Sequence, residues 1–364
     1  MATPLISRLL IDAQTEFARA IEHVPGPARG RAIGRLNTAT WAIAHTTEFL
    51  DYWINVDAGG GDRDPRQAAW GEAQDALPKG DALPTSYDEA AQTFARVAER
   101  ATVHLESWDE ADLREVVHEF AGSSWEGTTR GYLVARSVAH LFAHAGELSV
   151  IASLVLWDER DLGLPGELEW SLGAGSEAVD AGDLQPAVVR LLLDAREQFV
   201  RVADALPVPA QAGAFDRLNA GSWIVAHIAE QDDQYWSVHA RQLDADPWLA
   251  GASVKFGDPE SRPDYAEARA ALDRSFERSQ SYIEGLDGTQ FDTVLRRSRI
   301  PERGDQTAAD LVVLQAAHLF ALAGELAAIG SLAGADDPGL PGRLAHVTLG
   351  NASAGCDGAG GDGA

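Results

Sequence analysis

Apolar residues recur at helical spacing along most of the chain. The spacing i, i+3, i+4 and i+7 places a set of side chains on one face of a helix, and the first segment follows it with Leu9, Leu10, Ala13, Phe17, Ala20, Ile21 and Val24. In the first half of the chain this pattern predicts helices over 5–24, 31–56, 86–106 and 129–156. No run of alternating β-branched residues is long enough to predict a sheet. The pattern therefore indicates an all-α protein.

The helical pattern occurs twice. Residues 8–25, RLLIDAQTEFARAIEHVP, return at 190–207 as RLLLDAREQFVRVADALP, and AHLFAHAGELSVIASL at 139–154 returns at 317–332 as AHLFALAGELAAIGSL. Because the matching segments keep their order, we predict two tandem four-helix bundles. The predicted divisions are a first bundle, a linker, a second bundle and a disordered Gly/Asp/Ala tail, over residues 1–166, 167–183, 184–342 and 343–364.

The amino-acid composition limits which partners the protein could bind and which residues could hold a metal ion. The 364 residues include 29 basic and 56 acidic ones, a formal net charge of −27, and no Lys/Arg cluster is present, so neither nucleic acid nor a membrane surface is expected as a partner. No stretch approaches the ~20 apolar residues of a membrane span, and Arg8 and Asp12 interrupt the first apolar run, so we expect a cytoplasmic protein. The only cysteine is Cys356. A metal ion would therefore need His and carboxylate ligands.

Three histidines form the strongest candidate site. His140 and His144 are four residues apart on the fourth predicted helix, so their imidazoles project from one face. His45 lies on the second predicted helix between Trp41 and Trp53, on an otherwise apolar face. Three neutral imidazoles directed inward can share one divalent ion and leave a coordination position open, as catalytic sites do. The alternative is a set of buried, hydrogen-bonded core histidines.

Several other residues are candidates for a pocket around these histidines. Glu48 and Glu147 could bond the outer nitrogen of a ligating imidazole or take part in catalysis, and Arg130 could hold a substrate carboxylate by a bidentate contact. The aromatic candidates for binding a cofactor lie on the same helices or lead into the fourth helix, and they are Trp41, Tyr52, Trp53, Trp125 and Tyr132. For each of these residues the alternative is an ordinary place in the core or on the surface.

The segments HTTEFLDYW and HLFAHAGEL resemble the DinB/YfiT-like metalloproteins. In that family a four-helix bundle holds a divalent metal with one His from helix two and a His-x3-His pair from helix four, so the resemblance implies Zn²⁺ or Ni²⁺ on His45, His140 and His144. Its members include S-transferases and isomerases that use mycothiol, bacillithiol or glutathione, which implies a low-molecular-weight thiol such as mycothiol. The family often forms homodimers, so the resemblance also implies that the two repeats pack as an intramolecular pseudo-dimer.

The second repeat departs from this motif at one position. Leu322 stands where the first repeat has His144, whereas His227 and His318 remain. Two imidazoles form a weak site, so we expect a degenerate metal site in the second repeat.

Three functional hypotheses follow. The first is a metal-dependent enzyme that activates a small thiol or water for transfer or isomerisation on a small molecule. The second is a non-catalytic tandem bundle that binds a metal or ligand and serves as a sensor or partner module. The third is a carboxylate-bridged di-iron bundle that uses Glu48 and Glu147. The His-x-x-Glu order in this sequence argues against it, because di-iron bundles usually have Glu-x-x-His.

Overall fold

Helices dominate both halves of the chain. The computed structural model describes residues 3–67, 70, 85–118, 127–155, 186–213, 215, 218–255, 261–297 and 305–347. The first repeat consists of α1 (Leu5–His23), a 3-10 turn (Gly26–Ala28), α2 (Ala39–Leu50) continued by a π-helix (Asp51–Ala58), α3 (Tyr87–Ser107), α4 (Glu110–Leu113), β1 (Val116–His118), β2 (Thr128–Thr129) and α5 (Arg130–Val155). The four long helices α1, α2, α3 and α5 form the predicted bundle.

The second repeat has its long helices and ribbon strands in the same order as the first. It consists of α6 (Ala187–Asp204), α7 (Val208–Gln211), α8 (Gly221–Asp232) continued by a π-helix (Asp233–Ala240), α9 (Pro247–Gly251), α10 (Tyr265–Glu284), β3 (Val294–Arg297), β4 (Asp305–Thr307) and α11 (Ala308–Leu332). The prediction of an all-α fold with two tandem four-helix bundles is confirmed. The predicted linker, 167–183, lies outside the described residues.

Local side chains determine where the helices begin. The Ser86 hydroxyl accepts a hydrogen bond from the Glu89 backbone N–H at 3.2 Å, close to the predicted start of α3. The Thr38 hydroxyl accepts one from Trp41 N–H at 3.0 Å, so α2 begins at Ala39. The predicted start at residue 31 was wrong, because Gly34 has φ +60°, outside the range of a right-handed helix.

Each repeat also contains a short antiparallel ribbon that leads into its last helix. Val116 pairs with Thr129 in the first repeat, and Val294 pairs with Thr307 in the second. The four strands have only two to four residues each. Alternation over so few residues is too short to be recognised in a sequence, so the ribbons were not predicted.

Equivalent tyrosines join the first and third helices of each bundle. The Tyr87 hydroxyl donates to the Ile21 carbonyl at 2.5 Å, and the Tyr265 hydroxyl donates to the Ala203 carbonyl at 2.6 Å. The two bundles therefore share this hydrogen bond between their first and third helices.

The two repeats touch where their last helices cross. A Cβ atom on Gly146 of α5 would collide with the Ala321 carbonyl oxygen, and one on Gly324 of α11 would collide with the Ala143 carbonyl oxygen. The contact is reciprocal, since each helix presents the same residues to the other, as in an isologous interface. Glycine is required because no side chain fits between backbones at this separation. That the repeats pair in this way in solution stays a prediction.

A C-terminal strap, residues 338–347, follows α11 and lies along α6. Leu344 and Val347 are fully buried, and the Asp194 carboxylate accepts hydrogen bonds from the backbone N–H groups of His346 and Val347 at 3.0 and 3.1 Å. The packed part of the second repeat therefore extends five residues beyond 342, and the predicted start of the tail at 343 was too early. Residues 348–364 lie outside the described part of the chain.

Helices α5 and α11 are long and apolar enough to cross a membrane, judged by length and composition alone. The expectation that no segment reaches this length was therefore too strict. Within the structure, 67% of the most apolar window of α5 and 89% of that of α11 is buried. Both helices pack against the first two long helices of their own bundle and against each other, and this burial accounts for their apolar composition.

Candidate metal centre

Three histidines from two helices meet inside the first bundle. His45 extends from α2, and His140 and His144 extend from successive turns of α5. One ring nitrogen from each lies within 4.8 Å of the other two, and the Nε2 atoms of His140 and His144 are 3.1 Å apart. The sequence prediction that these three residues come together agrees with this geometry, which could hold a metal ion.

The spacing of the rings fits a single divalent ion. Imidazoles bound at about 2.1 Å would have ring centres roughly 4.5 Å apart at right angles and about 5.2 Å apart at tetrahedral angles. The ring centres of His140 and His144 are 4.6 Å apart, and that of His45 lies 5.1 Å from His140 and 5.2 Å from His144. All three pairs are roughly perpendicular, with interplanar angles from 71° to 83°. The residues present therefore fit the metal that the motif implies.

Burial keeps the central histidine neutral. His140 is 4% exposed, and burial, followed by the charges of His144, His45 and Arg136, holds the pKa of His140 well below its usual value. A neutral imidazole is the form that binds a metal. His45 and His144 are only partly buried, so the cluster is open on their side.

A carboxylate orients His144. Nδ1 of His144 donates to Glu147 Oε2 at 2.7 Å, and the amide of Asn37 donates to the other oxygen of Glu147 at 3.4 Å. With its proton held on Nδ1, the ring presents an unprotonated Nε2 to His140. Glu147 was predicted for this role, whereas Asn37 was not. Its recurrence as Asn219 in the second repeat is the signal that could have found it.

Aromatic rings surround the histidines. Trp41 stacks on His45 with ring centres 4.5 Å apart and planes 13° apart. Phe49 contacts both His45 and His140 edge-on, at 4.8 and 4.9 Å, and Trp53 lies 5.7 Å from His140. These rings limit the orientations that the imidazoles can take. Trp41 and Trp53 were predicted pocket residues, and Phe49 completes the set.

The other predicted aromatic residues lie elsewhere or outside the described chain. Tyr52 is on the surface, 43% exposed. Tyr132 is half-buried against the core, with its backbone N–H donating to the Thr129 hydroxyl at 3.2 Å. Trp125 falls in 119–126, which the structure does not describe. A cofactor-binding role for these three residues stays a prediction.

Two charged candidates are engaged in ion pairs. Glu48 pairs with Arg63 at 2.5 Å. Arg130 donates to the backbone oxygens of Ala58 and Asp112 at 3.0 and 2.9 Å and pairs with Glu115 at 2.8 Å. These contacts use the guanidinium of Arg130 to tie loops to the start of α5, so they indicate a structural role for it.

The second repeat keeps two of the three imidazoles in the same arrangement. His227 and His318 have ring centres 5.2 Å apart, close to the 5.1 Å between His45 and His140. Nδ1 of His227 donates to the Val254 carbonyl at 2.8 Å, and Nδ1 of His318 contacts the Gln231 amide oxygen at 2.7 Å. Burial lowers the pKa of both rings, and Leu322 is a buried core residue. This repeat is therefore built without a third ligand.

A second group of potential ligands lies between α6 and the strap. Asp194, Glu197 and His346 each place one ligand atom within 4.8 Å of the others. His346 already pairs with Glu197 at 2.8 Å, and both oxygens of Asp194 accept backbone hydrogen bonds. These contacts attach the strap to α6, which explains why the three residues lie close together.

Comparison with protein families agrees with the geometry. The model of the DinB superfamily matches residues 9–148 and 192–321, one stretch in each repeat and together more than half of the chain. The chain belongs to the DinB superfamily. The first DinB match includes all three histidines, whereas the second ends one residue before Leu322, where the motif is broken. Searches of curated proteins and of solved structures gave no match.

The sequence pattern did not predict one neighbour of the three histidines. Arg136 lies one helical turn before His140 on α5, and its guanidinium carbon is 5.2 Å from the centre of the Trp53 ring. The available signal was its i, i+4 relation to His140.

Proposed function

We propose that the first repeat is the centre of a metal-dependent enzyme that acts on a small molecule. His45, His140 and His144 would hold one divalent ion, Zn²⁺ or Ni²⁺, which would acidify a small thiol, such as mycothiol, or a water molecule at its open coordination position. The observation that carries the proposal is the meeting of three imidazoles at separations that suit one ion. The reaction class would be transfer or isomerisation.

The chain's own side chains would prepare the site before any substrate binds. Glu147 keeps the Nδ1 proton of His144 and so leaves Nε2 free for bonding. Trp41 and Phe49 shield two sides of His45 from water. The partly exposed edges of His45 and His144 leave the approach for a thiol and its electrophile.

Metal content of single-site variants tests the ligand assignment. His45→Ala, His140→Ala and His144→Ala should each reduce bound metal from about one ion per chain to a trace, because a pair of imidazoles binds divalent ions weakly. His227→Ala is the matched control, since it removes the same ring from the second repeat, and it should leave the content unchanged. Loss of metal from the control alone, or no metal in the unaltered protein, would refute the assignment.

The electronic spectrum of the Co²⁺-substituted protein tests the open position. We expect a new sulfur-to-metal charge-transfer band when mycothiol or another small thiol is added, because a thiolate would enter the coordination sphere. Cys356 should first be replaced by Ser so that the chain's own thiol cannot produce the band. An unchanged spectrum with every thiol would favour water as the bound nucleophile.

A second candidate is a non-catalytic tandem bundle that binds a metal or small ligand. It is favoured by the second repeat, which buries His227 and His318 but has Leu322 in place of the third ligand. A bound metal that accepts neither thiol nor substrate would support this candidate. The di-iron hypothesis is disfavoured, because Glu48 pairs with Arg63 and Glu147 bonds the outer nitrogen of His144.

A further inference from the structure

The strap of the second repeat contacts the helix that carries two of the three histidines. Nη1 of Arg136 donates to the Gly342 carbonyl oxygen at 2.7 Å. Arg136 belongs to α5 of the first repeat, whereas Gly342 lies in the strap, 206 residues later. The hydrogen bond therefore joins the degenerate repeat to the neighbourhood of the complete histidine cluster.

Arg136 in turn contacts a ring that touches the cluster. Its guanidinium lies over Trp53, 5.2 Å from the ring centre, at a distance where a cation is attracted to an indole face. Trp53 lies 5.7 Å from His140 and 4.5 Å from Phe49. A continuous chain of contacts thus runs from Gly342 through Arg136 and Trp53 to His140.

The strap holds the Gly342 carbonyl in a defined place. Gly342 has φ +64°, and a Cβ atom there would lie only 2.5 Å from the Gln198 side-chain oxygen. The Gln198 amide donates to the next carbonyl, that of Arg343, at 3.1 Å. Helix α6 therefore fixes the turn that presents the acceptor to Arg136.

The corresponding link cannot form in the second repeat. At the offset of 178 that relates the last helices, Arg136 corresponds to Leu314, which has no hydrogen-bonding side chain. The first two helices of the repeats are related by an offset of 182, at which Trp53 corresponds to Tyr235. An aromatic ring is therefore present in both repeats, but the cation over Tyr235 is Arg296 from β3. The repeat without a third histidine thus also has no arginine at this position of α11.

We infer that the second repeat completes the metal centre of the first, with its Gly342 carbonyl orienting Arg136 so that Arg136 holds Trp53 against His140. Arg136 is a positioning residue, because it acts on His140 through Trp53. The inference rests on the proposed metal site and explains what a degenerate repeat contributes. Ordering His140 before the ion arrives reduces the entropy lost on binding.

Metal affinity of the full-length protein tests the inference. Arg136→Leu installs the residue found at the equivalent position of the second repeat, and it should weaken Zn²⁺ or Ni²⁺ binding about tenfold in competition with a chromophoric chelator, as loss of a supporting contact typically does. Arg296→Leu removes the matching cation from Tyr235 and should leave the affinity unchanged. Equal losses in the two variants, or none with Arg136→Leu, would overturn the inference.

A double-mutant cycle tests the role of the strap. Gly342→Ala should shift the turn away from Gln198 and produce a similar loss of affinity. Because both changes break one link, the double variant should lose no more than either single variant. Additive losses would show that Gly342 does not act through Arg136.

A readout in the metal-free protein separates this inference from the proposed function. With 5-fluorotryptophan incorporated, the ¹⁹F resonance of Trp53, assigned by its loss in Trp53→Phe, should move or broaden in Arg136→Leu and Gly342→Ala but not in Arg296→Leu. If the protein bound no metal yet this pattern held, the proposed function would fail and the link would stand. An unmoved Trp53 signal in both variants would reject the link.

Discussion

At the residue scale, Glu147 shows how one carboxylate fixes the orientation of a candidate metal ligand, His144. Its carboxylate accepts from Nδ1 of His144 at 2.7 Å and is itself bonded by Asn37. Glu147→Gln should therefore weaken metal binding about tenfold and Glu147→Ala up to about a hundredfold, the range found for such supporting groups. A metal-competition titration measures both. Glu325→Gln changes the equivalent residue beside Leu322 and should have no effect; a loss in this control would mean that the glutamates act on the fold.

Asp12 on α1 provides a pH-dependent prediction. Burial is the largest cause that raises its pKa to about 6, and Glu16 raises it further while Arg8 lowers it. Because the folded pKa exceeds the unfolded one, the folded state prefers the protonated acid, and the stability that this provides below pH ~4 is lost as the pH rises through ~6. Asp12→Asn should therefore raise the melting temperature at pH 8.

Melting temperatures of Asp12→Asn at several pH values test whether Asp12 causes this pH dependence. The advantage of Asp12→Asn over the unaltered protein should shrink between pH 6 and 4, because both side chains are then uncharged in the folded state. Melting temperatures in matched buffers at pH 4, 5, 6 and 8 would show this. A constant difference at every pH would mean that Asp12 is not a source of the pH dependence.

At the element scale, α5 serves two purposes with one sequence. His140 and His144 extend toward α2 of the first bundle, whereas Ala143 and Gly146 of the same helix meet α11 of the other repeat. A helix whose backbone is held so closely by a neighbour has little freedom to rotate. His140 and His144 are therefore positioned by the contact between the repeats as well as by their own bundle.

Adding one methyl group at the helix crossing tests this arrangement. Gly146→Ala should destabilise the protein by about 1–3 kcal/mol, the usual cost of overpacking, since the new Cβ meets the rigid Ala321 backbone. The same change should lower metal affinity by moving α5. Urea unfolding and metal titration measure the two effects. Gly30→Ala is the control, because nothing lies within 4 Å of a Cβ there, and comparable destabilisation by both would contradict the prediction.

At the scale of the whole molecule, the two repeats have diverged in their interiors. The second repeat buries an ion pair between Arg196 and Asp232, with Ser279 and Gln315 bonded to it. At the offset of 182, the first repeat has Gln14 and Leu50 in these places. A buried ion pair must be satisfied by such partners to be tolerated. One repeat thus keeps the histidine cluster and the other keeps a buried polar network.

Small-angle scattering tests whether the repeats stay together in solution. If they pack as a pseudo-dimer, the monomer should have a radius of gyration near ~21 Å, the value expected for a globule of this length. The predicted linker of about 17 residues, 167–183, keeps the repeats close together. Each repeat therefore has a high effective concentration near the other, which favours docking. A clearly larger, dumbbell-like profile would contradict both the pairing and the link between Arg136 and Gly342.

The sequence by itself determined the helices, the repeat and the three histidines. Helical periodicity is a local property, so the bounds of α1, α3 and α5 were predicted to within one residue or so. The repeat set the number of bundles, and the spacing of His140 and His144 placed both on one face. Helix two was mispredicted at its start because Gly34 and the Thr38 cap outweighed the apolar pattern.

Only the tertiary structure decided which groups support the site. Glu48 and Glu147 have the same spacing from a histidine, yet Arg63 pairs with one and His144 with the other. The bond from Arg136 to Gly342 likewise joins residues 206 positions apart. Such contacts leave no periodic trace in a sequence, because they depend on how helices cross and where loops return. Local spacing in the sequence therefore predicts the histidine cluster, whereas the tertiary structure determines which groups contact it.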